Sequence, residues 1–285
     1  MGPALDDEIP QLEARGETSA HMITLLYHDV VPVGQFSTSG FSGGDADIYK
    51  LEIPVFREHL GEIGSRVESS KTLASAATVG DDQASVLFTF DDGGRGALHA
   101  AELLEQYGFR GHFFITTDWI GKSQFLALAE IRELHTRGHV IGSHSCSHPA
   151  RMSSCSRAQL DEQWRESLRV LSDACGERLR VASVPGGYYS RKVAETAAAA
   201  GIEVLFNSEP TREIIRVDGC MVLGRYSVQQ GLSADTVACI ACGQWAPRAQ
   251  QYLYWNLKKI AKQVGGSYYL HLRKSLLNRE RARTS

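Results

Sequence analysis

From Met22 onward the chain alternates short apolar runs with amphipathic segments, and no other feature limits its possible folds as strongly. The apolar runs are Ile23 to Tyr27, Val86 to Phe90, Gly111 to Thr116, Val140 to Ile141, Leu179 to Val184, Ile202 to Phe206 and Met221 to Leu223. Three of the intervening segments, ending near Tyr107, Arg137 and Ala200, stop at Gly108, Gly138 and Gly201, residues suited to the left-handed position after a helix. A fourth opens at Ser156 with Gln159 three residues on, a capping box, and stacks Leu160, Trp164, Leu168, Leu171 and Cys175 on one face. Strands joined by helical crossovers run parallel, so the pattern predicts an α/β fold, as an open sheet or a barrel. No internal repeat or low-complexity linker divides it.

At 285 residues and 43% apolar, the chain is long enough to bury a large core. A net charge of −3 argues against a nucleic-acid partner, which needs a basic footprint. No run of about eighteen apolar residues could span a bilayer. The first residues, Met1-Gly2-Pro3-Ala4-Leu5-Asp6-Asp7-Glu8, lack the cationic and apolar regions of a secretory signal, so a cytoplasmic location is expected. Residues 1–21 read as a mobile acidic tail. The six cysteines are expected to remain thiols, and Cys239 and Cys242, though spaced as CxxC, read as two buried small hydrophobes on a helix.

Parallel α/β folds place their chemistry at the C-terminal ends of the strands. Here those ends are polar: the first run leads into His28-Asp29, the second into Asp91-Asp92-Gly93-Gly94, and Val140-Ile141-Gly142 into Ser143-His144-Ser145-Cys146-Ser147-His148. Two adjacent aspartates at the end of an apolar strand repel each other and lose hydration unless a cation settles their charge. His144 and His148, four residues apart, can aim two imidazoles at one ion, and with one aspartate they make three ligands and leave positions open, as in a catalytic zinc site. His59, His99, His112, His135 and His139 read as structural or solvent-facing. Trp119, beside Asp118, suits either a sugar-stacking surface or core packing.

These residues resemble the polysaccharide deacetylases that share the NodB homology domain, carbohydrate esterase family 4. The family's TFDDG motif reads here as Thr89-Phe90-Asp91-Asp92-Gly93 and its HSxxH motif as His144-Ser145-Cys146-Ser147-His148, both in full and in order. The resemblance extends over roughly residues 22–208, through Leu26-Tyr27-His28-Asp29-Val30, Phe113-Phe114-Ile115-Thr116-Thr117 and Gly138-His139-Val140-Ile141-Gly142. It implies a NodB-like distorted (β/α) barrel with fewer than eight regular strands, occupying residues 22–250. It also implies hydrolytic removal of N-acetyl or O-acetyl groups from a saccharide, with Zn2+ or another divalent cation (Co2+, Ni2+ or Mn2+) held by Asp92, His144 and His148. Asp91 would be the base that activates a metal-bound water.

The third family motif, RxPxG, corresponds to Ser183-Val184-Pro185-Gly186-Gly187, with the Gly186 amide as the implied oxyanion donor. Ser183 stands where the arginine that braces the catalytic aspartate is expected. Arg225, at another strand exit, is the candidate replacement. The family's Asp/Trp motif and its LxH strand are not evident. Leu270-His271 has the letters but runs into basic helical sequence, which leaves His28 as the better-placed general acid.

Residues 251–285 read as a basic helical extension. From Lys258 to Ser285 there are eight lysines and arginines against Glu280 alone, a net +7 that leaves −10 on the preceding residues. Such an end suits a solvated helix or peripheral contact with an anionic surface, which would place an enzyme of lipid-linked saccharides at the inner membrane face. The alternatives are an amide or formyl hydrolase acting on a small or lipid-linked amino sugar, a non-catalytic saccharide-binding relic, and a non-haem iron oxygenase, whose facial triad has no need of the second aspartate. The sequence does not define an oligomeric state.

Overall fold

The computed structural model describes residues 22–76 and 85–257. In chain order these form β1 Met22–Tyr27, β2 Val30–Val31, α1 Gly44–Asp47, β3 Leu51–Glu52, α2 Ile53–Gly64, β4 Ser85–Phe90, α3 Gly96–Gln106, β5 Gly111–Ile115, α4 Leu128–Thr136, β6 Val140–Ser143 and α5 Arg157–Cys175. They continue through β7 Val181–Ser183, α6 Arg191–Ala199, β8 Val204–Phe206, β9 Ile214–Val217, β10 Cys220–Leu223, β11 Tyr226–Ser227 and α7 Ala234–Ala241. Residues 245–257 are also helical. The capping box at Ser156 and Gln159 opens α5, and Gly108, Gly138 and Gly201 all take positive φ.

Nine strands form one sheet in the order β11-β1-β4-β5-β6-β7-β8-β10-β9, and β2 and β3 pair separately. Seven of the nine, β1, β4, β5, β6, β7, β8 and β10, are parallel and at least three residues long; β9 is antiparallel and β11 has two residues. In a flat sheet seven spacings of about 4.8 Å would separate β11 from β10 by roughly 34 Å. Only Gly224 and Arg225 connect those two strands, and three Cα steps reach at most about 11 Å. The sheet therefore curls into a barrel that is closed by this dipeptide rather than by a strand pair. Gly224 suits the closure, because a Cβ there would collide with the Glu209 carbonyl and Thr211.

The curl sorts the core into two. Leu87, Phe114, Val181, Val204, Phe206, Met221 and Leu223 pack together without helical residues, which makes them the barrel interior. Ile23, Leu25, Val86, Phe88, Phe113, Ile141, Leu205 and Val222 pack instead with Leu60 of α2, Leu104 of α3, Ile131 of α4 and Trp164 of α5. Every residue of β1 and β4 is buried, as expected of strands covered on both faces. No helix among the described residues is long and apolar enough to cross a membrane.

Of the expected regions, the 1–21 tail lies outside the described residues, as do residues 258–285 and His271 with them. The reading of Cys239 and Cys242 needs correction. Cys239 is half-buried on α7 under the Arg66 guanidinium, 3.2 Å away, while Cys242 is exposed just beyond the helix. The helical face that packs inward carries Val237, Ala238 and Ile240 instead.

Candidate functional site

Parallel register brings the polar strand exits together. Tyr27 of β1 lies opposite Phe90 of β4, so His28-Asp29 and Asp91-Asp92 leave the sheet side by side. Ser143 of β6 lies opposite Ala182 of β7, which makes His144 and Ser183 neighbours one residue further on. Although two strands separate β4 from β7 in the sheet, Ser183 Oγ is 3.0 Å from Asp91 Oδ1, because the curl carries both onto the same mouth.

Asp91 is buried and fully engaged. Arg225 grips it with two parallel bonds, Nη1 to Oδ1 at 2.7 Å and Nη2 to Oδ2 at 2.8 Å. The guanidinium has no exposed surface and is itself fixed by Nε donating to the Asn207 carbonyl at 2.8 Å and by Nη1 reaching Thr89 Oγ1 at 3.3 Å. Burial by itself would raise the Asp91 pKa, but the Arg225 charge and hydrogen bonds, aided by His144, hold the carboxyl well below the usual range. Arg225, the candidate replacement for the absent motif arginine, thus does reach Asp91.

Asp92, His144 and His148 form the second half of the site. Asp92 Oδ1 is 3.4 Å from His144 Nε2 and 3.5 Å from His148 Nε2, and one ligand atom from each residue lies within 4.8 Å of the others. Asp92, Ser145 and His148 have φ of 77°, 65° and 57°, three of the four non-glycine residues with positive φ among those described. Backbone strain of this kind concentrates where side chains must be aimed. His144 is oriented from behind: its Nδ1 is 2.6 Å from Ser183 Oγ, which leaves Nε2 toward Asp92. Burial pushes the pKa of His148 down, with the neighbouring His144 acting the same way.

Charge decides what this cluster can hold. Arg225 balances Asp91, whereas Asp92 has only imidazoles against it, and burial pushes His28 and His148 toward the neutral form. One buried negative charge is left without a fixed cation. A carboxylate and two imidazole nitrogens converging within 4.8 Å match the donor set of a divalent ion with open coordination positions. The residues fit such an ion.

His28 faces the same mouth. Its ring packs at a tilt against Tyr49 with centroids 4.6 Å apart, its Nδ1 has no hydrogen-bond partner among the described residues, and Asp92, Asp91, Arg225 and His144 all act on its charge. Burial lowers its pKa against the opposing pull of the two aspartates. Gly186, in the turn Pro185–Gly187, takes φ 61°, and the turn packs beside Ala150, two residues past His148. Trp119 is half-buried against Phe41 and Phe125, with Lys122 Nζ 3.8 Å over its ring, and Phe41 in turn sits 5.0 Å from the His148 ring.

The other histidines lie elsewhere. His112 accepts from the Leu73 amide inside the barrel, His139 joins the Gly111 amide to Glu105, and His59 contacts the Leu232 carbonyl. His135 stands 3.4 Å from Glu177 on the surface, and His99 lies on α3 away from the cluster. Three residues of the site were not singled out in the sequence: Tyr49 and Phe41, which carry no positional signal there, and Ser183 as a participant. Ser183 was visible only as a missing arginine.

Residues 78–205 match the family model of polysaccharide deacetylases. The chain is 24% identical over 223 residues to YxkH of Bacillus subtilis, whose name assigns it to the polysaccharide deacetylases, covering 77% of this chain and 75% of that one. It is 27% identical over 135 residues to a chitooligosaccharide deacetylase of Bradyrhizobium, covering 46% of this chain and 59% of that one, less than two thirds of the relative's length. The fold matches the Streptococcus pyogenes deacetylase PplD, solved with acetate, at a TM-score of 0.63 and 17% identity over 75% of this chain and 95% of that one. That likeness bears out the distorted (β/α) barrel expected from the sequence.

Proposed function

We propose that this protein, whose residues 78–205 belong to the polysaccharide deacetylase family, hydrolyses an acetamido group on a saccharide with a divalent cation held by Asp92, His144 and His148. The carrying observation is the pairing of an unbalanced Asp–His–His cluster with a separate, charge-balanced aspartate beside it. When bound, the cation, for which Zn2+ fits the donors, would polarise the acyl carbonyl and lower the pKa of its water.

The chain's own residues supply the remaining work. Asp91 Oδ2 lies 3.9 Å from His144 Nε2, beside the cation position, and has Arg225 Nη2 as one donor, so it retains acceptor capacity toward water. Because Arg225 keeps Asp91 ionised, it acts as a base across the whole neutral range, and a proton taken there is readily released. Gly186 is assigned to the oxyanion, as the resemblance implies; its turn approaches Ala150, two residues past the HSxxH segment. His28 is assigned to the leaving nitrogen: it is neutral at rest, and the two aspartates favour its return to the cationic form when a proton arrives.

The test is acetate release from acetylated chito-oligomers with added Zn2+, wild type beside Asp91→Asn. Release by the wild type and a loss of at least about 10²-fold in the variant are expected. A cation-loaded wild type that releases no acetate would overturn the reading in favour of the amide or formyl hydrolase, or of the saccharide-binding relic.

A peripheral membrane contact is proposed for the C-terminal end, and with it a lipid-linked substrate and a cytoplasmic location at the inner membrane face. Tyr252, Leu253, Tyr254 and Leu257 are exposed on the helix that leads into the segment of net charge +7. Sedimentation of the intact chain with anionic liposomes, abolished by truncation at Gly266, is expected; no sedimentation of the intact chain would contradict it.

A further inference from the structure

The geometry points to Ser183 as the residue that sets the tautomer of His144 and thereby the cation affinity of the Asp92–His144–His148 cluster. This rests on the reading of that cluster as a cation site.

Ser183 is fully buried, and its hydroxyl stands between two groups, 3.0 Å from Asp91 Oδ1 and 2.6 Å from His144 Nδ1. A hydroxyl has a single proton to give. Asp91, gripped in bidentate fashion by Arg225, is an ionised carboxylate and can only accept. The Ser183 proton therefore points to Asp91, and the oxygen presents a lone pair to His144. The second group near Nδ1, the Ser183 carbonyl at 3.3 Å, is also an acceptor. Both ring nitrogens face acceptors, but the contact at Nδ1, 2.6 Å, is far shorter than the 3.4 Å from Nε2 to Asp92 Oδ1; Nδ1 therefore carries the imidazole proton, and in a neutral ring the lone pair lies on Nε2. The opposite tautomer would turn the hydroxyl away from a buried carboxylate oxygen and aim an N–H at the cation position.

Ser183 in this way joins the two halves of the site. The proton order runs from His144 Nδ1–H to Ser183 Oγ–H to Asp91 Oδ1, and Arg225 fixes its far end. A residue that first looks like a lost motif arginine has a positioning role that only a small hydroxyl side chain could perform with Arg225 in place.

Two measurements test this. In metal-free protein with 15N-labelled histidine, long-range 1H–15N correlation spectra are expected to show His144 as the Nδ1–H tautomer in the wild type and as a mixture in Ser183→Ala. Titration with Co2+ is expected to show a dissociation constant about 10- to 100-fold higher in Ser183→Ala, largely restored in Ser183→Thr, which returns the hydroxyl. Near-ultraviolet circular dichroism establishes that each variant is folded; if the added methyl of Thr is not accommodated, the Ala variant and the tautomer spectra decide alone. An Nε2–H tautomer in the wild type, or equal Co2+ affinity in wild type and Ser183→Ala, would overturn the inference while leaving the cation site standing. Absence of Co2+ uptake by the wild type would overturn both.

Discussion

The exits of β1 and β4 lie side by side, and each buries an aspartate, yet the two carboxylates are held in opposite ways. Asp91, after β4, has a guanidinium on both oxygens and is kept ionised far below its ordinary range. Asp29, after β1, is cradled by Ser39 Oγ at 2.7 Å and packed against Gly94 and Gly96, where a Cβ would collide with it, and no cation touches it among the described residues. Burial pushes its pKa up to about 7, against the hydrogen bond from Ser39. Burial is common to both, so depth alone does not determine the charge state. The difference lies in direct contact with a cation: Arg225 holds both oxygens of Asp91, whereas Lys50 acts on Asp29 only from a distance.

The sharpest way to break this contrast is Asp91→Asn, which keeps the shape and removes the charge. Turnover is expected to fall by about 10²- to 10⁴-fold with cation content unchanged, read by acetate release and elemental analysis on the same sample. A variant that lost its cation instead would show Asp91 to be a ligand. Arg225→Ala acts from the other side. It strips a buried carboxylate of its partner and is expected to cost about 3–5 kcal/mol in urea unfolding. The double variant Asp91→Ala/Arg225→Ala should be less destabilised than the sum of the two single changes.

The smaller test is a pH series on Asp29→Asn. A carboxylate raised from about 3.9 in the unfolded chain to about 7 in the fold makes the folded state bind the extra proton. Wild-type stability should therefore decline as pH rises from about 4 to 7 and level off above, by up to about 4 kcal/mol, a decline absent from Asp29→Asn. Asp91 and Asp92, both lowered in the fold, contribute in the other direction: their stabilisation is present at neutral pH and is lost as pH falls below about 4. Equal slopes for wild type and Asp29→Asn between pH 4 and 7 would mean that Asp29 is already ionised at pH 4.

How much of this the sequence carried depended on whether the cause was local. Strand exits, the glycines that stop helices and the Ser156 cap are decided within a few residues, and they are where the alternation places them. The Asp91-Asp92 and His144–His148 pairs were legible for the same reason, since each sits within one loop. Arg225 and Ser183 are different. Their contacts with Asp91 span 134 and 92 residues and exist only because the sheet curls until β7 and the β10–β11 link face β4. Nothing in the local sequence at Ser183 distinguishes a positioning hydroxyl from the loss of an arginine; the distinction is made by the guanidinium that arrives from the opposite side. Cys239 and Cys242 illustrate the converse error, because α7 packs through a neighbouring stripe and its end is exposed.

The proposed chemistry requires one ion held by a carboxylate and two imidazoles next to a carboxylate that is not its ligand. Elemental analysis of the purified protein, wild type beside His144→Ala, addresses this directly. One equivalent of divalent metal per chain in the wild type and none in His144→Ala is predicted; equal and negligible metal in both, after incubation with Zn2+ and removal of the excess, would contradict it.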